Sequence, residues 1–184
     1  MIRKAQKQDS EKAAVLIYDA IQDIAHVLTG ERHKKKVFEQ LERYFCQEVN
    51  RLSFQNCLVK TIDDIPVGII VAYQGKAAIK LDEPIRAYLR DLTGKEPTID
   101  PEADAADYYI DTVSVNPEFR GRGFGTELLL DAIHYAEAQG HPTVSLNVEE
   151  NNPKARKLYE SLGFSYKKTV MINQHKYSYL VKQL

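Results

Sequence analysis

The residues best suited to chemistry fall between Asp111 and Tyr159. The run Arg120-Gly121-Arg122-Gly123-Phe124-Gly125 places three glycines within five residues, ahead of an amphipathic segment. Glycine has no Cβ, so main-chain N–H groups there can approach a ligand closely. A helix starting at that point adds unpaired N–H donors and the positive end of a dipole. Together these suit a diphosphate group, and Arg120 and Arg122 supply fixed charge for its oxygens. A turn that merely packs a helix on a sheet, with solvated arginines, fits the glycines equally well. Further along, Asn152, Ala155 and Tyr159 sit at i, i+3 and i+7, on one helical face. An amide at the top, a small residue below it and a hydroxyl two turns along suit an extended ligand. The competing readings are a helix cap for Asn151 or Asn152 and a core aromatic for Tyr159, beside Leu158 and Leu162. Asp111 is either a proton acceptor or a satisfied polar group. If its strand is regular, it shares a face with Tyr109 and Val113.

The elements that must position these groups are legible from periodicity. Met1–Ala5 reads as a short strand. Asp9 or Ser10 starts a helix, and Ile17, Ile21, Ile24 and Leu28 continue it to Thr29-Gly30. A charged connector, Glu31 to Lys36, leads into a second helix over Lys35–Leu52, with Val37, Leu41, Phe45 and Val49 as its stripe. Cys57–Asp63 and Pro66–Tyr73 form a hairpin. Residues 82–92 predict a short helix with Pro84 in its first turn and Ile85, Leu89 and Leu92 inward. Glu96–Asp107 is a long polar loop. Strand Tyr108–Val115, helix Gly121–Gln139, strand Thr143–Val148, helix Asn152–Leu162 and strands Phe164–Met171 and Lys176–Val181 complete a β-α-α-β-β-(α)-β-α-β-α-β-β order. The expectation is a mixed α/β domain over 1–184, antiparallel in its front half, with residues 75–106 inserted as a lid, a binding loop or a homodimer interface.

Two common phosphate-binding patterns fail on specific residues. A dinucleotide site wants G-x-G-x-x-G and an acidic residue roughly 20 positions on; the spacing here is G-x-G-x-G. A nucleoside-triphosphate loop needs G-K-[ST], which is absent. The segment instead resembles the acyl-CoA motif [RQ]-x-x-G-x-[GA] of the GNAT N-acetyltransferase superfamily. Asp111-Thr112-Val113-Ser114-Val115-Asn116-Pro117 precedes it as that family's central strand does. Ser145 to Asn152, Ala155, Leu158-Tyr159 and Gly163-Phe164 resemble its second conserved block. The likeness is sharp over about residues 107–166 and elsewhere extends only to element order.

The resemblance implies the GNAT fold, a mostly antiparallel sheet flanked by helices and splayed at a bulge between the strands ending at Val115 and Val148. It implies that the pantetheine arm of acetyl-CoA enters the gap as an extra strand, pairing with Val113 and Val115. Ser114, Arg120, Gly121, Arg122, Gly123, Phe124, Gly125, Thr126, Asn147, Asn152, Ala155 and Tyr159 join them as the expected cofactor-binding set. The implied reaction is direct transfer of acetyl to a primary amine. The Val113 N–H faces the oxyanion, Tyr159 is general acid to the departing thiolate, and Asp111 is the favoured base, directly or through water. Glu149 is a weaker candidate. Asn147 stands where some members carry a carboxylate and cannot serve as base, so a non-catalytic acyl-CoA-sensing module is the alternative.

Composition bounds the partners. Lys and Arg number 25 and Asp and Glu 26, giving a net charge of −1. That balance lacks the basic footprint of a nucleic-acid binder. No apolar run approaches the roughly 18 residues of a membrane span, and the N-terminus shows no apolar leader. Cys46 and Cys57, and histidines 26, 33, 134, 141 and 175, show no metal-ligand spacing. A cytoplasmic protein without metal, nucleic acid or membrane contact is expected. From Asp82 to Asp111, nine acids face three bases, a local balance of −6. That is either a solvated surface or an attraction for a cationic amine.

Overall fold

A stretch that is apolar on both faces must lie at the centre of a sheet. Ile65–Gln74 is such a stretch. Ile69 and Val71 enter one hydrophobic cluster and Ile70 and Ala72 another, on opposite faces. The computed structural model describes residues Met1–Leu184. The strands are β1 (Ile2–Lys4), β2 (Cys57–Ile62), β3 (Ile65–Gln74), β4 (Tyr108–Val115), β5 (Thr143–Glu149), β6 (Ser165–Ile172) and β7 (His175–Gln183). They form one sheet in the order β1-β2-β3-β4-β5-β7-β6, antiparallel except for the β4–β5 pair. Helices α1 (Ser10–Ile21), α2 (Asp23–Thr29), α3 (Lys34–Cys46) and α4 (Ala78–Thr93) contribute to the first cluster. Helices α5 (Phe124–Ala138) and α6 (Pro153–Ser161) cover the other face. No helix is long and apolar enough to cross a membrane.

Three helices differ from their sequence-based outlines, each for a local reason. The first predicted helix is two. Gln22, at φ 36°, breaks it between α1 and α2. Ile17, Ile21, Ile24 and Leu28 all still pack inward, so the periodicity survives the break and does not report it. The second helix stops at Cys46 rather than Leu52. Asn50 donates from Nδ2 to the Tyr44 carbonyl at 2.7 Å and accepts Leu52 N–H at 2.8 Å, while Ser53 donates to the Gln47 carbonyl at 2.6 Å. Such side-chain bonds compete with the helical ladder. Helix α4 starts a turn before the prediction, with Pro84 in its interior. Ile85 and Leu89 are buried as expected, but Leu92 is 47% exposed. The Leu81 carbonyl, one turn before the proline, accepts the Arg51 N–H at 3.2 Å.

The β4–β5 pairing extends only over Tyr108–Ile110 and Val144–Leu146, although β4 runs on to Val115 and β5 to Glu149. Beyond Ile110 the sheet is open. The two strands part at a bulge in β4, seen in its pairing with β3. Val71 pairs with Thr112 and Ala72 with Ile110, leaving Asp111 as the extra residue. The predicted common face of Tyr109, Asp111 and Val113 therefore does not exist. Tyr109 packs with Tyr73 and Tyr179, whereas Val113 packs toward the α5 cluster.

Candidate active site

The open end of the sheet is a cleft of about 690 Å³. Its walls are β4 from Tyr109 to Val115 and β5 from Leu146 to Glu149, with Asn152, Ala155 and Tyr159 of the α6 segment. The α1–α2 break supplies Asp19 to Ile24, and the β6–β7 end supplies Ile172, Asn173, His175 and Tyr177. Arg51 and Glu102 reach it from distant segments.

Main-chain groups define one end. Asn116 donates its N–H to the Val67 carbonyl at 2.9 Å. Alternation along an antiparallel strand then turns the N–H and C=O of Val113 and Val115 away from β3, into the gap. The Val115 carbonyl already accepts the Arg120 Nε–H at 3.1 Å, so its N–H is the group left for a ligand. Beyond Arg120, Gly121 and Gly123 adopt φ of 77° and 81°, a region that favours glycine. A Cβ at either would meet nothing within 4 Å, so no protein group fills the space above the turn. Glu127 N–H bonds the Gly123 carbonyl, and the preceding N–H groups of Phe124, Gly125 and Thr126 are the first-turn donors of α5. Arg122 lies over the Phe119 ring at 5.1 Å, and Lys60 over Phe124 at 4.6 Å.

Tyr159 stands on the facing wall, 8% exposed. Burial pushes its hydroxyl up to about 12, so it stays protonated throughout the neutral range. Its ring meets Phe164 edge-on, so it belongs to the core and to the cleft at once. Asn152 takes the capping role: its Oδ1 accepts the Ala155 N–H at 3.1 Å, leaving Nδ2 as the group available to a ligand. Asn147 donates from Nδ2 to the Glu102 carbonyl and the Tyr109 hydroxyl, each at 3.0 Å. Its Oδ1 is buried without a partner.

The floor of the cleft is a buried charged cluster. Arg51 and Asp111 side chains are each 3% exposed. Arg51 donates through Nε at 2.8 Å to Asp111 Oδ2, and its Nη2 lies 2.7 Å from the same oxygen. Tyr73 also donates to Asp111 Oδ2, at 2.6 Å, and the Thr112 hydroxyl donates to Oδ1 at 3.0 Å. Arg51 Nη2 reaches Glu102 Oε1 at 2.8 Å, and Tyr109 donates to Glu102 Oε2 at 2.9 Å. Asp82 lies 3.7 Å from Arg51 Nη1 without a hydrogen bond to its Oδ1. Burial raises Glu102, Arg51 opposes the shift, and Asp111 adds to it, leaving Glu102 above the usual carboxylate range. Around Tyr177, burial and the charges of Glu149, Glu102 and Asp23 push the hydroxyl up to about 12.

The structure thus brings Asp111, Val113, Ser114, Val115, Arg120, Asn147, Asn152, Ala155 and Tyr159 to one cleft. Gly121 to Thr126 continue from Arg120, and a Cβ on Gly125 would lie 3.8 Å from Val115. Asp111 has the contacts of the satisfied polar group rather than of a free carboxylate. Sequence reasoning missed Arg51 and Glu102. Arg51 fell inside a predicted helix, where an arginine reads as solvated. Glu102 lay in the Glu96–Asp107 loop, which has no periodicity to single it out among the acids around it.

A mixed sheet splayed beside a glycine-rich helix start, with a tyrosine across the gap, defines an α/β acyltransferase-type architecture. The chain belongs to the Acetyltransferase (GNAT) family, whose profile matches residues 18–164. A crystal structure of an N-acetyltransferase from Staphylococcus aureus Mu50 superposes with a TM-score of 0.86 at 28% identity, covering 98% of this chain and 99% of that one. Among curated relatives, an uncharacterized N-acetyltransferase of Methanocaldococcus jannaschii is 44% identical over 61 residues, which is 33% of this chain and 27% of that protein. The mycothiol acetyltransferase of Thermomonospora curvata is 45% identical over 53 residues, 29% of this chain and 18% of that protein. The matches to these two curated relatives therefore span about a quarter or less of their length.

Proposed function

We propose that the chain is an N-acetyltransferase that transfers acetyl from acetyl-CoA directly to a primary amine. The observation that carries this reading is the β4–β5 gap. It has the Val113 and Val115 main chain turned into it, Arg120 at the end that leads on into the Gly121–Gly125 turn, and Tyr159 on the facing wall. The diphosphate of coenzyme A would take the N–H groups of Gly121 to Thr126 and the charges of Arg120 and Arg122. The pantetheine amides would pair with Val113, the Val115 N–H and Asn152 Nδ2, with Ala155 leaving room.

The amine attacks the thioester carbonyl, and the electron pair moves to the oxygen, toward the Val113 N–H. Collapse expels the sulfur beside Tyr159, whose burial keeps the phenol protonated to donate. Asp111 acts here through its neighbours: its carboxylate fixes Arg51 and Tyr73. Family membership, and the N-acetyltransferase activity in the relatives' names, support the reaction class.

The test mixes the purified protein with acetyl-CoA and a panel of primary amines and follows free thiol. Thiol released only in the presence of an amine, together with a CoA-induced rise in melting temperature, is the expected result. A melting shift without thiol release would leave an acyl-CoA-sensing module in place of an enzyme.

A further inference from the structure

We propose that Glu102 is the proton acceptor for the attacking amine, which arrives as an ammonium ion. The proposal rests on the acetyl-transfer reading above and supplies the base that it lacks. The first observation is a charge inventory. Asp111, Glu102 and Asp82 surround the guanidinium of Arg51, and Arg86 acts on Asp82 as a second cation, so three carboxylates face two guanidinium groups. Buried negative charge in excess is costly until a proton or a cation balances it. An ammonium group entering the cleft is that cation.

The second observation separates the carboxylates. Asp111 Oδ2 is taken by Arg51 and Tyr73, and Oδ1 by Thr112. Each Glu102 oxygen has one protein donor, Arg51 Nη2 on Oε1 and Tyr109 on Oε2, and a carboxylate oxygen accepts two. The other titratable groups that sense Glu102 are Asp111, Tyr73 and Tyr177. Beside it, the unpartnered Asn147 Oδ1 is an acceptor for a second ammonium N–H.

The third observation is rigidity. The loop carrying Glu102 is tied on both sides. Asp100 accepts the Asn173 N–H at 2.8 Å, and Asp104 donates its N–H to the Tyr179 hydroxyl at 3.0 Å. Gly75 donates its N–H to the Asp107 carbonyl at 2.8 Å, and a Cβ on Gly75 would collide with the Asp104 carbonyl oxygen. A base held this way needs little reorganisation.

The balance closes. The ammonium gives one proton to Glu102, the neutral nitrogen adds to the carbonyl carbon with the electron pair moving to oxygen, and the C–S bond breaks as that adduct collapses. Tyr159 gives its proton to the departing sulfur, the second nitrogen proton passes through water to the phenolate so formed, and Glu102 releases its proton to solvent.

The experiment compares the wild type with Glu102→Gln and Glu102→Asp at saturating acetyl-CoA. The acceptors are those aliphatic amines of the panel that turn over, and O-methylhydroxylamine, which is uncharged at neutral pH. Glu102→Gln should slow the aliphatic amines roughly 10²–10⁴-fold and abolish the acidic limb of the kcat/KM profile. It should keep the CoA-induced melting shift and near-wild-type rates with O-methylhydroxylamine. Glu102→Asp should retain the limb at reduced rate. An equal loss with both kinds of amine, or an unchanged pH profile, overturns the assignment while acetyl transfer stands. A wild type that releases no thiol with any amine overturns both.

Discussion

The two ends of the cleft are built in opposite ways. The Gly121–Gly125 end is contiguous in sequence, lies at the surface, and presents main-chain N–H groups. The Arg51–Asp111–Glu102 end is assembled from segments up to 60 residues apart, is buried, and presents side chains. A ligand gripped by backbone depends on local conformation and tolerates surface change around it. A charged cluster in low dielectric depends on every partner being present. Substitutions should therefore act through backbone geometry at one end and through uncompensated charge at the other.

The largest effect should come from Arg51→Met, which leaves Asp111 and Glu102 buried without their counter-ion. Breaking a buried pair in this way costs about 3–5 kcal/mol, measurable by urea unfolding. Adding Glu102→Gln to Arg51→Met should recover part of that loss, and strict additivity would contradict a shared cluster. Tyr159→Phe comes next. It should lower kcat about 10²-fold while leaving the CoA-induced melting shift intact, and an unchanged kcat would remove it as the acid.

At the backbone end, Gly123→Ala should cost about 1–2 kcal/mol, because φ of 81° disfavours a Cβ, and should weaken CoA binding. Gly125→Ala should leave stability within about 1 kcal/mol, since its Cβ would meet only Val115 at ordinary contact distance. Arg122→Ala should weaken CoA binding less than Gly123→Ala does, and the deficit should shrink with added salt.

The smallest effect sharpens the comparison through pH. Asp9, paired with Arg3, is pushed up by burial but held lower overall by hydrogen bonds from Arg3 and Gln6. Its contribution is present above the ordinary value of 3.8 and is lost as pH falls through the lowered one. Glu102 is raised, so its sign is opposite: the folded state holds the proton longer, and stability falls as pH rises from 4.5 through the raised value. Urea midpoints against pH should show the second slope vanish in Glu102→Gln and the first in Asp9→Asn.

Elements with a strict period were legible from residue order. Strand β4, helix α5 and the hairpin of β2 and β3 fall within a few residues of their predicted limits. The glycine turn was legible too, because positive φ and a helix start are local demands that residue type answers directly. The break at Gln22 and the bulge at Asp111 were not, since neither disturbs the apolar spacing around it. Nor was the end of α3, where Asn50 and Ser53 bond back to the main chain and bring Arg51 into the interior.

What the chain's residue order determined by itself was the glycine-rich turn and the strand and helices on either side of it, because those depend on neighbours within one or two turns. What only the tertiary structure decided was the buried, charged end of the cleft. Arg51, Glu102 and Asp111 meet through packing of the α3–β2 segment, the α4–β4 loop and a bulged strand. No local pattern records which carboxylate is enclosed by donors and which has only one donor on each oxygen.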